Sequence, residues 1–379
     1  MKKEDYKRLN DYLNDTFIYL SGHDRFFIQN MRSIFIFNNM LYGKLKDIEL
    51  EHKFHENNLT FEDVYELARN EIEKINSNYL KEFDKLINSG RLGLFKQKEN
   101  INIKEVDYYE KLSEIENNEE ETRNDSICFY TENDYFIDLA RTYNYDDVLS
   151  LIHEFIHSTN SSKNMGEYRY ILTEFFSIYF EILSQKNLLE KGINSSELNL
   201  FDRIKSTGMI SKKIVEYDIA FMAYNLFGNV KEDSYEDLEK YHIVSSTKED
   251  FEDVCINLLK YFDYQKIVYN NENKKFNLYE YRKYISRLFS SGYRYLYGTL
   301  FACHLLENGN KDKIVWLNDH INDEEIKNMD LIDVLKIIGI DLTNENIDVK
   351  LVDSAQNYYE NLSKYSVKKE KEKSLTYNV

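Results

Sequence analysis

Long segments of this chain carry apolar residues at intervals of three and four residues, and this pattern restricts its fold more than any other feature. Residues 60–88 and 277–308 show the pattern, which places the apolar side chains on one face of an α-helix. The sequence contains no proline and only 12 glycines, so it has few residues that break helices. We therefore expect a mainly α-helical fold.

The amino-acid composition indicates a folded protein that does not bind nucleic acid. Hydrophobic residues make up 42% of the 379 residues and aromatic residues 15%, which is too much apolar material for a disordered chain. The formal net charge is -18, and a polyanion of this size repels phosphate backbones. Nucleic acid is therefore excluded as an expected partner.

The sequence also predicts where the protein resides. The amino-terminal residues contain no apolar run of signal-peptide length, and no segment offers the roughly 18 consecutive apolar residues of a membrane span. Cys128, Cys255 and Cys303 are far apart and form no C-x-x-C pair, so neither a disulfide framework nor a thiolate metal site is indicated. We expect a cytoplasmic protein without membrane contact.

A β-hairpin is predicted at residues 126–139, which read SICFYTENDYFIDL. Asn133 and Asp134 separate two short runs of aromatic and β-branched residues, as the turn of a hairpin does. This element directly precedes the segment that carries the most chemistry.

That segment is YDDVLSLIHEFIHSTN, residues 145–160, for which we predict a helix capped by Asp146 or Asp147. His153 and His157 are four residues apart, so both imidazoles lie on one face, where they can bind a single zinc ion. Glu154 lies beside them and can act as the general base for a water molecule that the metal activates. The alternative is a pair of surface histidines on an ordinary helix.

A zinc site needs a third protein ligand, and the next predicted helix, residues 166–192, offers three acids. Glu167, Glu174 and Glu181 recur every seven residues and therefore share one helix face. Glu174 is surrounded by apolar residues, where a carboxylate requires a cation, so we predict it to be the ligand. Glu181 is a candidate for orienting one of the histidines. The alternative is that these acids only face solvent.

The residues of these two helices resemble the zinc oligopeptidases of the oligoendopeptidase F and thimet oligopeptidase family. HEFIHS followed by TEFFSIYFE is similar to that family's H-E-x-G-H helix and its later E-x-x-S-x-x-x-E helix, which brings Glu174, Ser177 and Glu181 into register. The resemblance implies a zinc-dependent metalloendopeptidase with one Zn²⁺ per chain, held by His153, His157 and Glu174. It also implies that short peptides are the substrates.

A tyrosine-rich segment, residues 291–309, is similar to the family's helix that ends in Y-x-Y-x-x-G. The resemblance implies that Tyr295 and Tyr293 donate hydrogen bonds to the oxyanion and the substrate. Because the chain contains 32 tyrosines, the alternative is that this helix belongs to the core or surface. His304 and Cys303, on the same segment, are predicted to be core residues.

The resulting fold prediction is two helical lobes flanking an active-site cleft, with a small β element beside the metal helix. We predict an N-terminal helical lobe at residues 1–94, a zinc peptidase catalytic lobe at 95–365 and a flexible C-terminal tail at 366–379. The negative field of the chain would favour cationic peptides. A second metal pair at His52 and His55 has a compatible spacing, but no nearby acid pattern supports it.

Departures from the family pattern leave other functions open. Ile156 replaces the usual glycine, and residues 281–291 lack the histidine that precedes the family's tyrosines. These changes would suit a zinc-stabilised peptide-binding module without catalysis. The chain is also shorter than most family members on its amino side, which would suit a dedicated peptide-maturation protease. A helical protein without metal is the remaining alternative.

Overall fold

The structure is a computed structural model that describes part of the chain. The described residues are 1–23, 59–97, 122–123, 126–130, 134–160, 170–193, 220, 223–224, 226–240, 248–271, 295, 297–329, 331–344, 346–347, 349–358 and 360–361.

The described residues are mainly α-helical, which confirms the predicted fold class. The main helices are α1 (Lys3–His23), α2 (Phe61–Ile75), α3 (Ser77–Asn88), α4 (Asp146–Thr159), α5 (Tyr170–Glu190), α6 (Ser234–Lys240), α7 (Lys248–Asn271), α8 (residues 297–308), α9 (Lys311–His320), α10 (Glu324–Lys327), α11 (Leu331–Ile338) and α12 (residues 349–358). Among the helices of the described residues, none combines the length and the apolar character that crossing a membrane requires.

Local sequence signals explain several helix ends. Thr60 caps α2 and forms a capping box with Asp63, in which each side chain accepts a hydrogen bond from the other residue's backbone N–H. The continuous periodic segment at residues 60–88 is divided into α2 and α3 because Asn76 adopts an extended conformation and caps the second helix. Helix α5 ends just before Gly192, whose φ of 86° is accessible mainly to glycine.

Four strands form one small sheet beside α4. They are β1 (Leu92–Gln97), β2 (Thr122–Arg123), β3 (Ile127–Tyr130) and β4 (Tyr135–Arg141), in the order β2-β1-β4-β3. Strands β3 and β4 pair antiparallel with Tyr130 opposite Tyr135, so the predicted hairpin is confirmed. Strand β1 pairs parallel with both β2 and β4. In this strand order β3 lies at one edge of the sheet, and it contacts α4.

The buried apolar side chains of the described residues form one hydrophobic cluster. Aromatic rings make up much of it: Phe83 and Phe155 meet edge to face at 5.0 Å, and Phe175 and Phe301 meet edge to face at 6.4 Å. The cluster contains residues from both sides of the boundary predicted at residue 94, and β1 crosses that boundary. The division into two lobes around a cleft stays a prediction, and the tail at 366–379 lies outside the described residues.

Candidate metal centre

Helix α4 presents His153 and His157 on one face because they are one turn apart. Most of the helix is buried: Leu151, Ile152 and Phe155 are fully enclosed in the hydrophobic cluster. The burial of these apolar residues fixes the rotation of the helix about its axis. It therefore also fixes the direction in which the two imidazoles point.

The start of α4 is held by a buried ion pair rather than by the cap that the sequence predicted. Tyr145 is the N-cap residue and makes no side-chain capping bond, so the prediction of Asp146 or Asp147 as cap is wrong. The Asp147 carboxylate instead turns back toward β4. It accepts hydrogen bonds from Arg141 Nε at 2.6 Å and from the backbone N–H groups of Thr142 and Tyr143 at 2.6 and 3.0 Å. This network fixes the angle between the strand and the metal helix.

Glu174 reaches the two histidines from α5, which packs against α4. Apolar residues surround it on its own helix, and only 4% of Glu174 is exposed. Helix α8 approaches the same turn closely at Gly298: a Cβ atom there would lie 3.2 Å from Phe175 N and 3.3 Å from Glu174 C. Gly298 therefore permits the close approach of α8 that backs the Glu174 segment.

The nitrogen and oxygen atoms of the three predicted ligands converge on one point. His153 Nε2 and His157 Nε2 are 3.1 Å apart, and each lies 3.6 Å from Glu174 Oε2. A tetrahedral zinc site with bonds of about 2.0–2.1 Å separates its ligand atoms by about 3.3–3.4 Å. The observed separations bracket that value. Two imidazole nitrogens and one carboxylate oxygen are also the donor set of catalytic zinc sites, so these residues fit a zinc ion.

Glu181 orients His153 toward this point. His153 Nδ1 lies 2.8 Å from Glu181 Oε2, and Glu181 is only 3% exposed. Because an ionised carboxylate can only accept a hydrogen bond, Nδ1–H donates to it, and in the neutral ring the lone pair is therefore on Nε2. The neutral imidazole thus has the tautomer that a metal requires. The suggestion that Glu181 orients a histidine agrees with this contact.

The electrostatics of the group favour a bound cation. Burial lowers the pKa of His153, but the neighbouring carboxylates of Glu174 and Glu181 outweigh it and raise that pKa to about 9. Burial raises the pKa of Glu174, but its contacts with His153 and His157 hold that pKa well below the usual range. The carboxylates thus stabilise positive charge between them. A divalent cation supplies this charge when it replaces the proton on His153.

Glu154 lies beside the candidate metal ligands and is in contact with strand β3. Its Oε2 atom accepts a hydrogen bond from the backbone N–H of Cys128 at 2.8 Å, and 7% of Glu154 is exposed. Two residues along the strand, the hydroxyl of Tyr130 donates to the carbonyl oxygen of His157. Burial raises the pKa of the Cys128 thiol to about 12, which keeps it protonated. The strand is thus joined to the metal helix at both of these residues.

The structure describes only some of the remaining predicted site residues. Tyr295 is partly buried and packs against the hydrophobic cluster, whereas Tyr293 lies outside the described residues. The catalytic role predicted for both stays a prediction. Glu167, His52 and His55 also lie outside the described residues. His304 and Cys303 are buried, as predicted, and His304 Nδ1 lies 3.1 Å from Ser354 Oγ.

Sequence reasoning missed the contacts that β3 makes with α4. The hairpin pattern predicted the strand, but no local signal in Cys128 or Tyr130 indicates which helix residue each would bond. The same is true of Arg141, whose guanidinium pairs with Asp147 and also donates to the carbonyl oxygen of Leu59 at 2.8 Å.

Comparisons with known proteins give one distant similarity. No protein-family model and no curated protein matches this sequence. The crystal structure of a candidate peptidase from Chlamydophila abortus matches 95% of this chain and 62% of its own chain, with 14% sequence identity and a TM-score of 0.49. This chain therefore spans less than two thirds of that protein. At this similarity the comparison assigns neither a family nor an activity, so the function must be argued from the site itself.

Proposed function

We propose that this protein is a zinc-dependent metallopeptidase that hydrolyses internal bonds of short peptides. The observation that supports the proposal is the convergence of His153 Nε2, His157 Nε2 and Glu174 Oε2 at separations of 3.1–3.6 Å. Glu154 lies on the same helix as the two histidines. His153, His157 and Glu174 would hold the metal. When bound, zinc would polarise the scissile carbonyl and lower the pKa of a water molecule to about 7.

The chain's own residues perform the proton transfers. Glu154 accepts a proton from the attacking water and later delivers it to the leaving amine, which is the role of a general base that becomes a general acid. Glu181 keeps the Nδ1 proton of His153 in place, because its carboxylate accepts that N–H at 2.8 Å. The surrounding apolar residues lower the local dielectric constant and so strengthen the electrostatic interactions of these groups.

The substrates that we propose are short, flexible peptides. With a formal net charge of -18, the chain would attract cationic peptides more rapidly than acidic ones, and this preference would decrease as salt screens the charges. Tyr295, and Tyr293 with it, would donate hydrogen bonds to the oxyanion. Comparing the cleavage rates of basic and acidic peptides at low and high salt tests the charge preference, and equal rates at low salt would contradict it.

The direct test of the mechanism is the substitution Glu154→Gln. The amide has nearly the shape of the carboxylate but cannot accept the proton from water, so we expect metal content and fold to persist while turnover falls by at least about 100-fold. Circular dichroism checks the fold, mass spectrometry of a digested peptide mixture checks turnover, and elemental analysis checks the metal. Undiminished turnover in Glu154→Gln would refute the mechanism.

The same experiment separates the alternatives. If the wild-type chain holds zinc but cleaves no peptide in a diverse mixture, the result favours a zinc-stabilised peptide-binding module. If it cleaves only a narrow set of sequences, it is a dedicated peptide-maturation protease. A broad set of cleaved short peptides supports the proposal as stated.

A further inference from the structure

A polar cleft of about 500 Å³ lies where α8, α12 and the described part of the segment between α11 and α12 meet. None of the residues that line it belongs to the candidate metal centre. Sites for small molecules have volumes of about 300–1,000 Å³. The cleft is therefore large enough for a small ligand, and it is separate from the groups proposed to carry out hydrolysis.

Helix α12 turns a polar face toward this cleft. Four of its residues line the cleft: Lys350, Asp353, Ser354 and Asn357. Their spacing is i, i+3, i+4 and i+7, so they share one face of the helix. From α8, His304 and Asn308 line the cleft one turn apart. The cleft therefore lies between two helices that both present polar side chains to it.

Two of the lining side chains are both polar and buried. His304 is 9% exposed and Ser354 is 5% exposed, and His304 Nδ1 lies 3.1 Å from Ser354 Oγ. Burial, and to a smaller extent Lys350, lowers the pKa of His304, so the ring is uncharged near neutral pH. His304 Nε2 makes no hydrogen bond to the described residues, although polar atoms of buried side chains normally have a partner. A polar ligand in the cleft supplies that partner.

Charges of both signs line the cleft. Lys350 is positive, and its ammonium group forms no ion pair with the described residues. Asp341 and Asp353 are acidic. Hydrogen bonds from Thr343 lower the pKa of Asp341, which is therefore ionised, and Asp341 Oδ1 also lies 3.8 Å from Lys336 Nζ. A ligand that complements this cleft carries a negative and a positive group.

The same residues disfavour other classes of ligand. The two acids repel a phosphate group, and Lys350 repels a simple cation. No phenylalanine, tyrosine or tryptophan is among the described residues that line the cleft, so a nucleobase has no aromatic side chain on which to stack. The carboxamides of Asn308, Asn344 and Asn357 can donate and accept hydrogen bonds, which suits an aliphatic polar molecule.

We propose that this cleft binds a small zwitterion, either a free amino acid or a dipeptide. Lys350 binds its carboxylate, and the acids Asp341 and Asp353 bind its ammonium group. The inference does not depend on the proposed peptidase function, because the cleft shares no residue with the metal centre and binding requires no catalysis.

Binding is tested on the full chain by saturation-transfer NMR with a mixture of the standard amino acids and, separately, a mixture of dipeptides. We expect at least one member to bind, with a Kd below about 1 mM in calorimetry. Its N-acetyl derivative lacks the ammonium group and its amide lacks the carboxylate, so each should bind at least about tenfold more weakly. Absence of any binder, or equal affinity for the three forms, would overturn the proposal.

The substitution Lys350→Met locates the ligand. Lys350 is exposed, so the variant should fold, and its affinity for the ligand should fall at least about threefold. The matched control is Lys313→Met, because Lys313 is exposed on α9 and does not line the cleft; it should bind as the wild type does. An affinity of Lys350→Met equal to that of Lys313→Met would place the ligand elsewhere, for example at the metal centre, and would overturn the proposal.

Discussion

Replacement of Glu181 should weaken metal binding even though Glu181 is not a proposed ligand. Its carboxylate accepts the Nδ1–H of His153 at 2.8 Å and is 3% exposed, so solvent screens the interaction little. The bond holds the ring orientation and keeps the Nε2 lone pair directed at the metal position. Loss of such a partner typically reduces metal affinity about 10- to 100-fold, or about 1.4–2.7 kcal/mol.

Two substitutions at this position should give graded effects. Glu181→Gln keeps an oxygen that can accept the Nδ1–H but removes the negative charge, so we expect a loss of affinity near the lower limit, about tenfold. Glu181→Ala removes the acceptor and leaves a buried imidazole N–H unpaired, so the loss should approach about 100-fold. We therefore expect metal affinity to decrease in the order wild type, Glu181→Gln, Glu181→Ala.

Zinc affinity can be measured by competition with a chelating dye, with circular dichroism as a check on the fold. Glu190→Gln is the matched control, because Glu190 lies at the end of the same helix and is exposed to solvent. It removes an equal charge without contacting His153. If Glu181→Gln and Glu181→Ala bind zinc as tightly as Glu190→Gln does, then Glu181 does not position the histidine.

Three further predictions concern the support of the site. Asp147→Ala leaves the Arg141 guanidinium buried without its partner, and urea unfolding should show a loss of about 3–5 kcal/mol; a loss under about 1 kcal/mol would contradict the role of this pair. Gly298→Ala places a Cβ atom 3.3 Å from the backbone carbon of Glu174, so we expect a loss of about 1–3 kcal/mol together with weaker zinc binding; wild-type values for both would refute the close approach. Because the pKa of His153 is raised to about 9 in the metal-free protein, both ring nitrogens carry a proton below that pH. One of these protons must be lost when zinc binds. Zinc affinity should therefore fall as the pH decreases below about 9, and calorimetry in buffers of different ionisation enthalpy should detect the released proton; identical heats in all buffers would contradict this.

The sequence predicted the parts of the site that depend on helix periodicity. A four-residue spacing places His153 and His157 on one face whatever the rest of the chain does. Glu174 could be predicted because a carboxylate among apolar residues needs a cationic partner, and the seven-residue repeat placed Glu181 on the same face. The hairpin could be predicted as well, since alternation and turn residues are local signals.

The parts that could not be predicted depend on how distant elements pack. The Asp147 carboxylate is at the start of the helix, where it could cap it, but it instead accepts hydrogen bonds from the Arg141 guanidinium and from the two backbone amides that follow β4. The approach of β3 to Glu154 depends on sheet order and strand register, which local patterns do not specify. The role of Gly298 could not be predicted for the same reason, since it depends on how closely α8 packs against α5.

The central claim is that three side chains from two neighbouring helices bind one metal ion. Elemental analysis of the purified wild-type chain, beside His157→Ala and Glu174→Ala, tests it most directly. We predict about one zinc per wild-type chain and a large loss of zinc in both variants, while circular dichroism shows that each variant remains folded. A wild-type chain that binds no zinc when supplied with it, or variants that bind as much zinc as the wild type, would contradict the claim.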